Sequence, residues 1–368
     1  MEINYNIVSL IDFLGLVQGI LFGVLLIFGN RKSRPSLLLG LFVMTYALEI
    51  SEAILHDTGI LEQQPGLLFL PFNFYFLTVP LFYLYAKSLV APFSLKKHWL
   101  ILLPGIIEFL VYLILFFLPV SEKIKLAENP SVQSFIAGYE YASLLYSIFF
   151  ALKTIQLVNR HQKKVLNYFS NIEKQQLKWV KAVAIFILAF YAMWFVPTFL
   201  SEEIFTNYIY PGFGAINVIF IYWVGISGLR QPKVEMIAEK LPTGTKENLE
   251  TGDSDSEIYT RLLELMKAEE IYKEPELTLP LLAQKLNITR RSLSQLINQK
   301  TNSNFNRFIN QYRVEAAKKI LSDSEFDHLN MLGVAFEVGF NSKATFFSVF
   351  KQIEGISPGA FKRERLRS

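Results

Sequence analysis

Up to residue 230, apolar positions run together in blocks; from residue 277 onward they recur every three or four positions. The blocks fall near 7–28, 36–55, 67–89, 99–120, 135–158, 180–200 and 207–229. Each holds about 20 residues, roughly 30 Å as a helix, enough to cross a bilayer's hydrocarbon core. The block at 36–55 is the weakest, because Glu49 and Glu52 interrupt it. The pattern predicts an all-α chain in three parts. A seven-helix transmembrane domain occupies 1–230, and an all-α domain with two helix-turn-helix units occupies 257–368. Between them, 231–256 holds no aromatic residue, 3 Lys and 6 Asp/Glu, and reads as an acidic flexible linker.

Composition sharpens this division. Hydrophobic residues make up 52% of the chain and charged ones 18%, below the roughly 25% of soluble domains. The shortfall is local: 1–230 hold 16 Lys/Arg and 13 Asp/Glu, whereas the shorter 231–368 hold 20 and 19. The chain has no cysteine, which excludes disulfides, thiolate catalysis and cysteine-based zinc sites. Its start, Met1-Glu2-Ile3-Asn4, lacks the basic region of a cleaved signal peptide, so the first block is expected to stay as a membrane helix.

Loop charge orients the blocks. The first, third and fifth loops hold 13 Lys/Arg: Arg31, Lys32, Arg34; Lys87, Lys96, Lys97; and Lys153, Arg160, Lys163, Lys164, Lys174, Lys178, Lys181. The opposite side carries Lys123 and Lys125 among Glu2, Asp57, Glu62, Glu122, Glu128, Glu202 and Glu203. The positive-inside rule then puts the N-terminus outside and, after an odd number of crossings, the C-terminal domain in the cytoplasm. Trp99, Trp179 and Trp223 fall near the inner boundary, as an aromatic belt does. In the fifth loop, 153–181, Val165, Leu166, Phe169 and Ile172 recur at helical spacing. Contact with anionic lipid headgroups is its plain reading, and contact with the C-terminal domain is the alternative.

Acids inside the blocks call for partners, since each costs about 2.5–3.5 kcal/mol at the bilayer centre. Asp12, Glu49, Glu52, Glu108 and Glu140 are such acids. They serve either as polar contacts between helices or as an outward-opening pocket, built from Glu49, Glu52, Glu108 and Glu140, for a cationic or hydroxylated ligand. No HExxH, GxSxG or P-loop pattern occurs; Gly212-Phe213-Gly214 alone is weak; and His56, His98, His161 and His328 are scattered. No catalytic residue, metal site or cofactor is therefore expected, and the chain does not read as an enzyme.

The C-terminal pattern is that of nucleic-acid readers. From 277 to the end there are 14 Lys/Arg and 7 Asp/Glu, the bias a phosphate-binding face requires. In the first unit, 277–299, Thr278 and Thr289 are N-caps. Leu282, Ala283 and Leu286 form one apolar face, and Asn287 suits a left-handed turn. Leu293, Leu296 and Ile297 point inward, so Arg291, Gln295 and Asn298 point away at 100° per residue. With Arg290, these are candidates for base contact, Arg to guanine and Gln or Asn to adenine. The second unit, 331–361, repeats the small residue and the turn residue as Ala335 and Gly339. Ser342 caps a helix whose inward face is Phe346, Val349 and Phe350. Its outward residues, Lys343, Ala344, Thr345, Ser348 and Lys351, suit phosphate contact more than base reading. Between the units, 305–322 reads as one helix of about 27 Å, a rod able to set two recognition helices near one DNA turn apart.

Leu282-Ala283-Gln284-Lys285-Leu286-Asn287-Ile288, the run Phe308 to Lys318, Ala335-Phe336-Glu337-Val338-Gly339-Phe340-Asn341-Ser342 and Gly355-Ile356-Ser357-Pro358 together resemble the AraC/XylS DNA-binding domain over about 100 residues. The resemblance implies transcription control through double-stranded DNA, with RNA polymerase as a partner. Many members carry Arg where Ser348 stands and Gly where Ser303 stands. The whole chain resembles membrane-embedded AraC-type regulators of Bacteroidetes-like bacteria, which implies a bacterial inner membrane, membrane lipids as partners and an unidentified small-molecule or membrane signal. Three arrangements follow: a one-component receptor, a membrane enzyme or transporter with a DNA-binding appendage, or a tethered regulator freed by proteolysis. The two units allow a monomer to bind DNA, and the spans leave a homodimer open.

Overall fold

A computed structural model of the chain describes residues 6–29, 33–173, 176–193, 209–231 and 255–365. Among these the regular elements are all helices, with one isolated antiparallel bridge between Phe169 and Thr278. The expected linker lies almost wholly outside the described residues, as do Met1 to Asn4, Arg31, Lys32, Lys174, Glu202 and Glu203. Contacts divide the chain into two units: Met1–Asn159 with Leu177–Pro232, and Arg160–Gln176 with Lys233–Ser368. The second unit is therefore discontinuous in sequence.

The first unit contains α1 (Ile7–Phe28), α2 (Arg34–Asp57), α3 (Thr78–Val90), α4 (Leu103–Phe116), α5 (Val120–Glu128), most of α6 (Pro130–Tyr168), α7 (Lys178–Met193) and α8 (Tyr210–Arg230). α1 turns the usual soluble pattern inside out. It buries Gly15, Gly19 and Gly23 and exposes Leu10, Phe13, Leu14, Leu21 and Leu25. The glycines let α2 approach closely: a Cβ on Gly19 would lie 2.3 Å from the Ala47 Cβ, and one on Gly40 would lie 2.9 Å from the Gly23 carbonyl oxygen. Close packing through small residues with apolar side chains outward is how helices associate in lipid, where burial of Leu gains nothing.

Among the described residues, four helices are long and apolar enough to cross a membrane: Ile7–Phe28, Arg34–Asp57, Pro130–Tyr168 and Gly212–Arg230. Two of the other expected spans are broken. Where 67–89 was expected to be continuous, a 3-10 turn at Pro65–Leu67 gives way to non-helical backbone, with Phe69 at φ 60°, before α3 begins at Thr78. Pro71 stands in that stretch, and proline withholds a backbone N–H from a helix. The freed N–H groups of Tyr75 and Phe76 donate to the Glu108 carboxylate at 3.1 and 3.0 Å. A 3-10 turn at Leu95–Lys97 precedes the block 99–120, a second at Trp99–Ile101 opens it, and its α-helix is confined to Leu103–Phe116. Pro104 stands in the first turn of that helix and Pro119 beyond its end. The span expected at 180–200 is helical as Lys178–Met193, and residues beyond it lie outside those described.

The second unit contains α9 (Asp255–Lys267), α10 (Leu279–Lys285), α11 (Arg290–Thr301), α12 (Phe305–Ser322), α13 (Met331–Glu337), α14 (Lys343–Glu354) and α15 (Pro358–Arg365). It has two apolar cores. The first joins Ile258, Leu262, Leu282, Ala283, Leu286, Leu293, Leu296 and Ile297; the second joins Val334, Ala335, Val338, Phe340, Phe346, Phe350 and Phe361. α12 serves both, giving Phe305, Phe308 and Ile309 to the first and Val314, Ala317 and Leu321 to the second. Each of the larger side chains contributes about 1.5–3 kcal/mol on burial, so α12 is the beam on which both halves are assembled.

Candidate nucleic-acid interface

Each core carries a helix pair whose second helix is started by a hydroxyl. Thr278 Oγ1 accepts the Leu281 N–H at 3.4 Å and starts α10, and Thr289 Oγ1 accepts the Ser292 N–H at 3.1 Å and starts α11. In the second pair Asn330 starts α13, and Ser342 Oγ accepts the Thr345 N–H at 3.2 Å to start α14. Such caps satisfy donors that a helix start leaves orphaned.

The turn between the helices of each pair is left-handed, at Asn287 (φ 54°) and Gly339 (φ 91°). The two positions are not equivalent. Asn287 is exposed, whereas a Cβ at Gly339 would lie 2.6 Å from the carbonyl oxygen of Lys273. The first turn tolerates a side chain; the second admits glycine because the 271–274 segment packs against it.

On α11, Leu293, Leu296 and Ile297 are buried, Arg291, Gln295 and Asn298 are exposed, and Arg290 is half-buried. On α14, Phe346 and Phe350 are buried; Lys343, Ala344, Ser348 and Lys351 are exposed; and Ser342 and Thr345 are half-buried. Lys343 Nζ stands 5.4 Å from the centre of the Phe347 ring. Other cations are tied down in ion pairs: Lys318 with Glu315 and Glu354 at 2.9 and 3.2 Å, and Lys362 with Asp327 at 2.7 Å. Among the described residues Arg291, Lys343 and Lys351 have no ion-pair partner, so their charge faces outward.

Residues 282–364 match the family described as a helix-turn-helix domain. The C-terminal part carries an AraC-type helix-turn-helix domain. Over 92 residues the chain is 26% identical to the uncharacterized HTH-type transcriptional regulator YtdP of Bacillus subtilis (strain 168). That match covers 25% of this chain and 12% of the relative's length. The crystal structure of the C-terminal domain of the two-component response regulator yesN from Fusobacterium nucleatum subsp. nucleatum ATCC 25586 is 27% identical, with a TM-score of 0.25. It matches over 30% of this chain and 99% of its own.

Inside this AraC-type domain lie groups that no recognition pattern in the sequence had marked. Arg313 of α12 is 1% exposed. Its Nε donates to the Tyr272 carbonyl at 2.7 Å, and its Nη2 donates to the Glu274 carbonyl at 2.8 Å and to Ser170 Oγ at 3.1 Å. The guanidinium stands 5.6 Å from the centre of the Phe340 ring. Burial pushes it down to about 10, so it stays charged at neutral pH. The available signal was an arginine on the apolar row between Ile309 and Ala317. The second group is in the fifth loop, where contact with the C-terminal domain was the alternative to the lipid reading and is the one the hydrogen bonds favour. Asn306 Nδ2 donates to the carbonyls of Phe169 and Ser170 at 3.1 and 2.8 Å, and the Ser170 N–H donates to the Leu277 carbonyl at 3.1 Å. Glu173 Oε2 accepts from Ser342 Oγ at 2.8 Å and from Thr345 Oγ1 at 3.0 Å.

The acids proposed for a ligand pocket belong to the other unit. Glu49 accepts from Thr78 Oγ1 at 2.6 Å, Glu52 accepts from the Tyr75 hydroxyl at 3.1 Å, and Glu108 also accepts from the Tyr139 hydroxyl. These three bonds and the two backbone donors on Glu108 link α2, the start of α3, α4 and α6. Glu140 is exposed.

Proposed function

We propose that this chain is a membrane-bound one-component transcriptional regulator. Its apolar unit sits in a bacterial inner membrane with seven crossings and the N-terminus outside, and its AraC-type domain, in the cytoplasm, binds double-stranded DNA in response to a signal reaching the apolar unit. The observation that carries this reading is the union, in one chain, of four helices long and apolar enough to cross a bilayer with two hydroxyl-capped helices that turn polar faces outward from one shared beam.

In this reading α11 supplies most of the sequence discrimination through Arg290, Arg291, Gln295 and Asn298, side chains able to pair with base edges. α14 fixes register through Ser342, Lys343, Thr345 and Lys351 on phosphates, with Ala344 against a thymine methyl. Activation requires RNA polymerase as a partner, and the apolar unit's partners are lipids. Glu49, Glu52 and Glu108 hold helices in one arrangement through the hydrogen bonds described, and a ligand that competes for those bonds would be the signal. Selection of a random-sequence duplex pool on the full chain in detergent micelles tests the DNA reading. Enrichment of one motif is expected, with its base preference altered by Arg291→Ala; a pool unchanged after repeated rounds would overturn it. A reporter fused to the C-terminus tests the topology, with an active cytoplasmic reporter expected.

A further inference from the structure

We propose that residues 160–173 are a built-in competitor for DNA, and that the Glu173 carboxylate occupies a phosphate site at the start of α14. The proposal rests on the DNA-binding reading above.

The segment has an anchor and an arm. The anchor is Val165, Phe169 and Ser170, which are 1%, 6% and 2% exposed. Ser170 is held by its N–H to Leu277, by Arg313 on its hydroxyl and by Asn306 on its carbonyl. Asn306 is itself buried and accepts from Asn310 Nδ2 at 3.0 Å. Buried polar groups satisfied in this way specify one arrangement, so the docking is built into the second unit's interior rather than laid on its surface.

The arm is Glu173. It is the single acid among the seven Lys/Arg of 153–181, yet it is the side chain placed on α14. Ser342 and Thr345 both donate to its Oε2, within the first turn of a 12-residue helix and beside the outward-facing Lys343. In helix-turn-helix recognition the first turn of the second helix meets the DNA. Hydroxyls, free N–H groups and the positive end of a helix dipole are what a phosphate binds there. A carboxylate satisfies the same donors with the same sign of charge. While Glu173 holds them, an incoming phosphate meets engaged hydroxyls and a like charge. The segment is the end of α6 and part of the loop that leads to α7, so a signal that shifts either helix along the chain acts on it directly. Such a signal shifts DNA affinity only by the difference it makes between the docked and released arms.

The test uses the full chain in detergent micelles and fluorescence anisotropy on a random-sequence duplex pool at fixed salt. Glu173→Ala should bind about tenfold more tightly, a change of about 1.4 kcal/mol, the scale of a hydrogen bond to a charged group. Glu173→Gln, which keeps the shape and loses the charge, should bind more tightly than the wild type and less tightly than Glu173→Ala. Glu337→Gln removes an exposed acid from the same unit without touching Ser342 or Thr345, and should stay within about twofold. If both Glu173 variants match the wild type while Lys351→Ala weakens binding, the DNA reading stands and the competitor is overturned. If Glu337→Gln shifts affinity as much as Glu173→Gln, net charge alone is responsible and the competitor is again overturned. If no form binds any duplex, the DNA reading falls and takes the competitor with it.

Discussion

Replacing Arg313 with Ala tests whether one buried cation ties the two helix-turn-helix halves together. The guanidinium satisfies the carbonyls of Tyr272 and Glu274 and lies over Phe340 of the second core. Truncation leaves the Tyr272 carbonyl, in a buried residue, without this donor, an unsatisfied acceptor costing about 1–3 kcal/mol; the Glu274 carbonyl keeps the Leu277 N–H at 3.2 Å; and space opens beside Phe340. Hydrogen bonds made by a charged group are worth about 1.5–3 kcal/mol each, so losing both carbonyl contacts costs about 3–6 kcal/mol. Set against the 5–15 kcal/mol of a typical domain, and at roughly 4–8 °C per kcal/mol, the melting transition of this unit should fall by more than about 10 °C. Hydrogen exchange on the full chain in micelles reads this out, with faster exchange expected in peptides from α10 to α15 and unchanged rates in α1 and α2. Arg313→Lys keeps the charge but loses the fork that reaches two carbonyls at once, and should fall between. An alanine variant within about 1 kcal/mol of the wild type would refute the argument, since it would mean that water or backbone relaxation replaces the lost hydrogen bonds at little cost.

Four further outcomes are expected. Gly339→Ala should destabilise the AraC-type domain by about 2 kcal/mol or more, because the residue needs a left-handed φ and its Cβ would strike the Lys273 carbonyl; chemical denaturation checks it against Asn287→Gly, which should be within about 1 kcal/mol. Lys351→Ala should weaken binding to all duplexes alike and lower the salt slope by about one, whereas Arg291→Ala should cost about 1–3 kcal/mol at one base position. Asn306→Ala should loosen the fifth loop, seen as faster exchange of peptides covering Val165 to Ser170, because it removes both carbonyl contacts. Glu108→Ala should speed exchange at Tyr75 and Phe76, whose N–H groups lose their acceptor.

Local chemistry wrote much of this molecule into its sequence. Caps, turn residues and 3.6-residue periodicity depend on a few neighbours along the chain, so Thr278, Thr289 and Ser342 marked helix starts, Leu293 and Phe346 marked inward faces, and 305–322 read as one helix. Apolar block length was legible for Ile7–Phe28 and Arg34–Asp57 for the same reason. Continuity was not legible at 67–89 and 99–120. Hydropathy does not register that a proline-broken stretch can give its backbone donors to a carboxylate, Glu108, more than 30 positions away. What only the tertiary structure decided lies between segments distant in the chain. Arg313 entered the sequence reading only as one of the 14 Lys/Arg from 277 to the end, until the 271–274 carbonyls closed around it. Glu173 carried no role in the sequence reading until the fold set it on Ser342 and Thr345. The reason is common to both. A polar side chain takes its meaning from whichever donor or acceptor the fold brings within about 3 Å, and that partner is not a function of sequence separation.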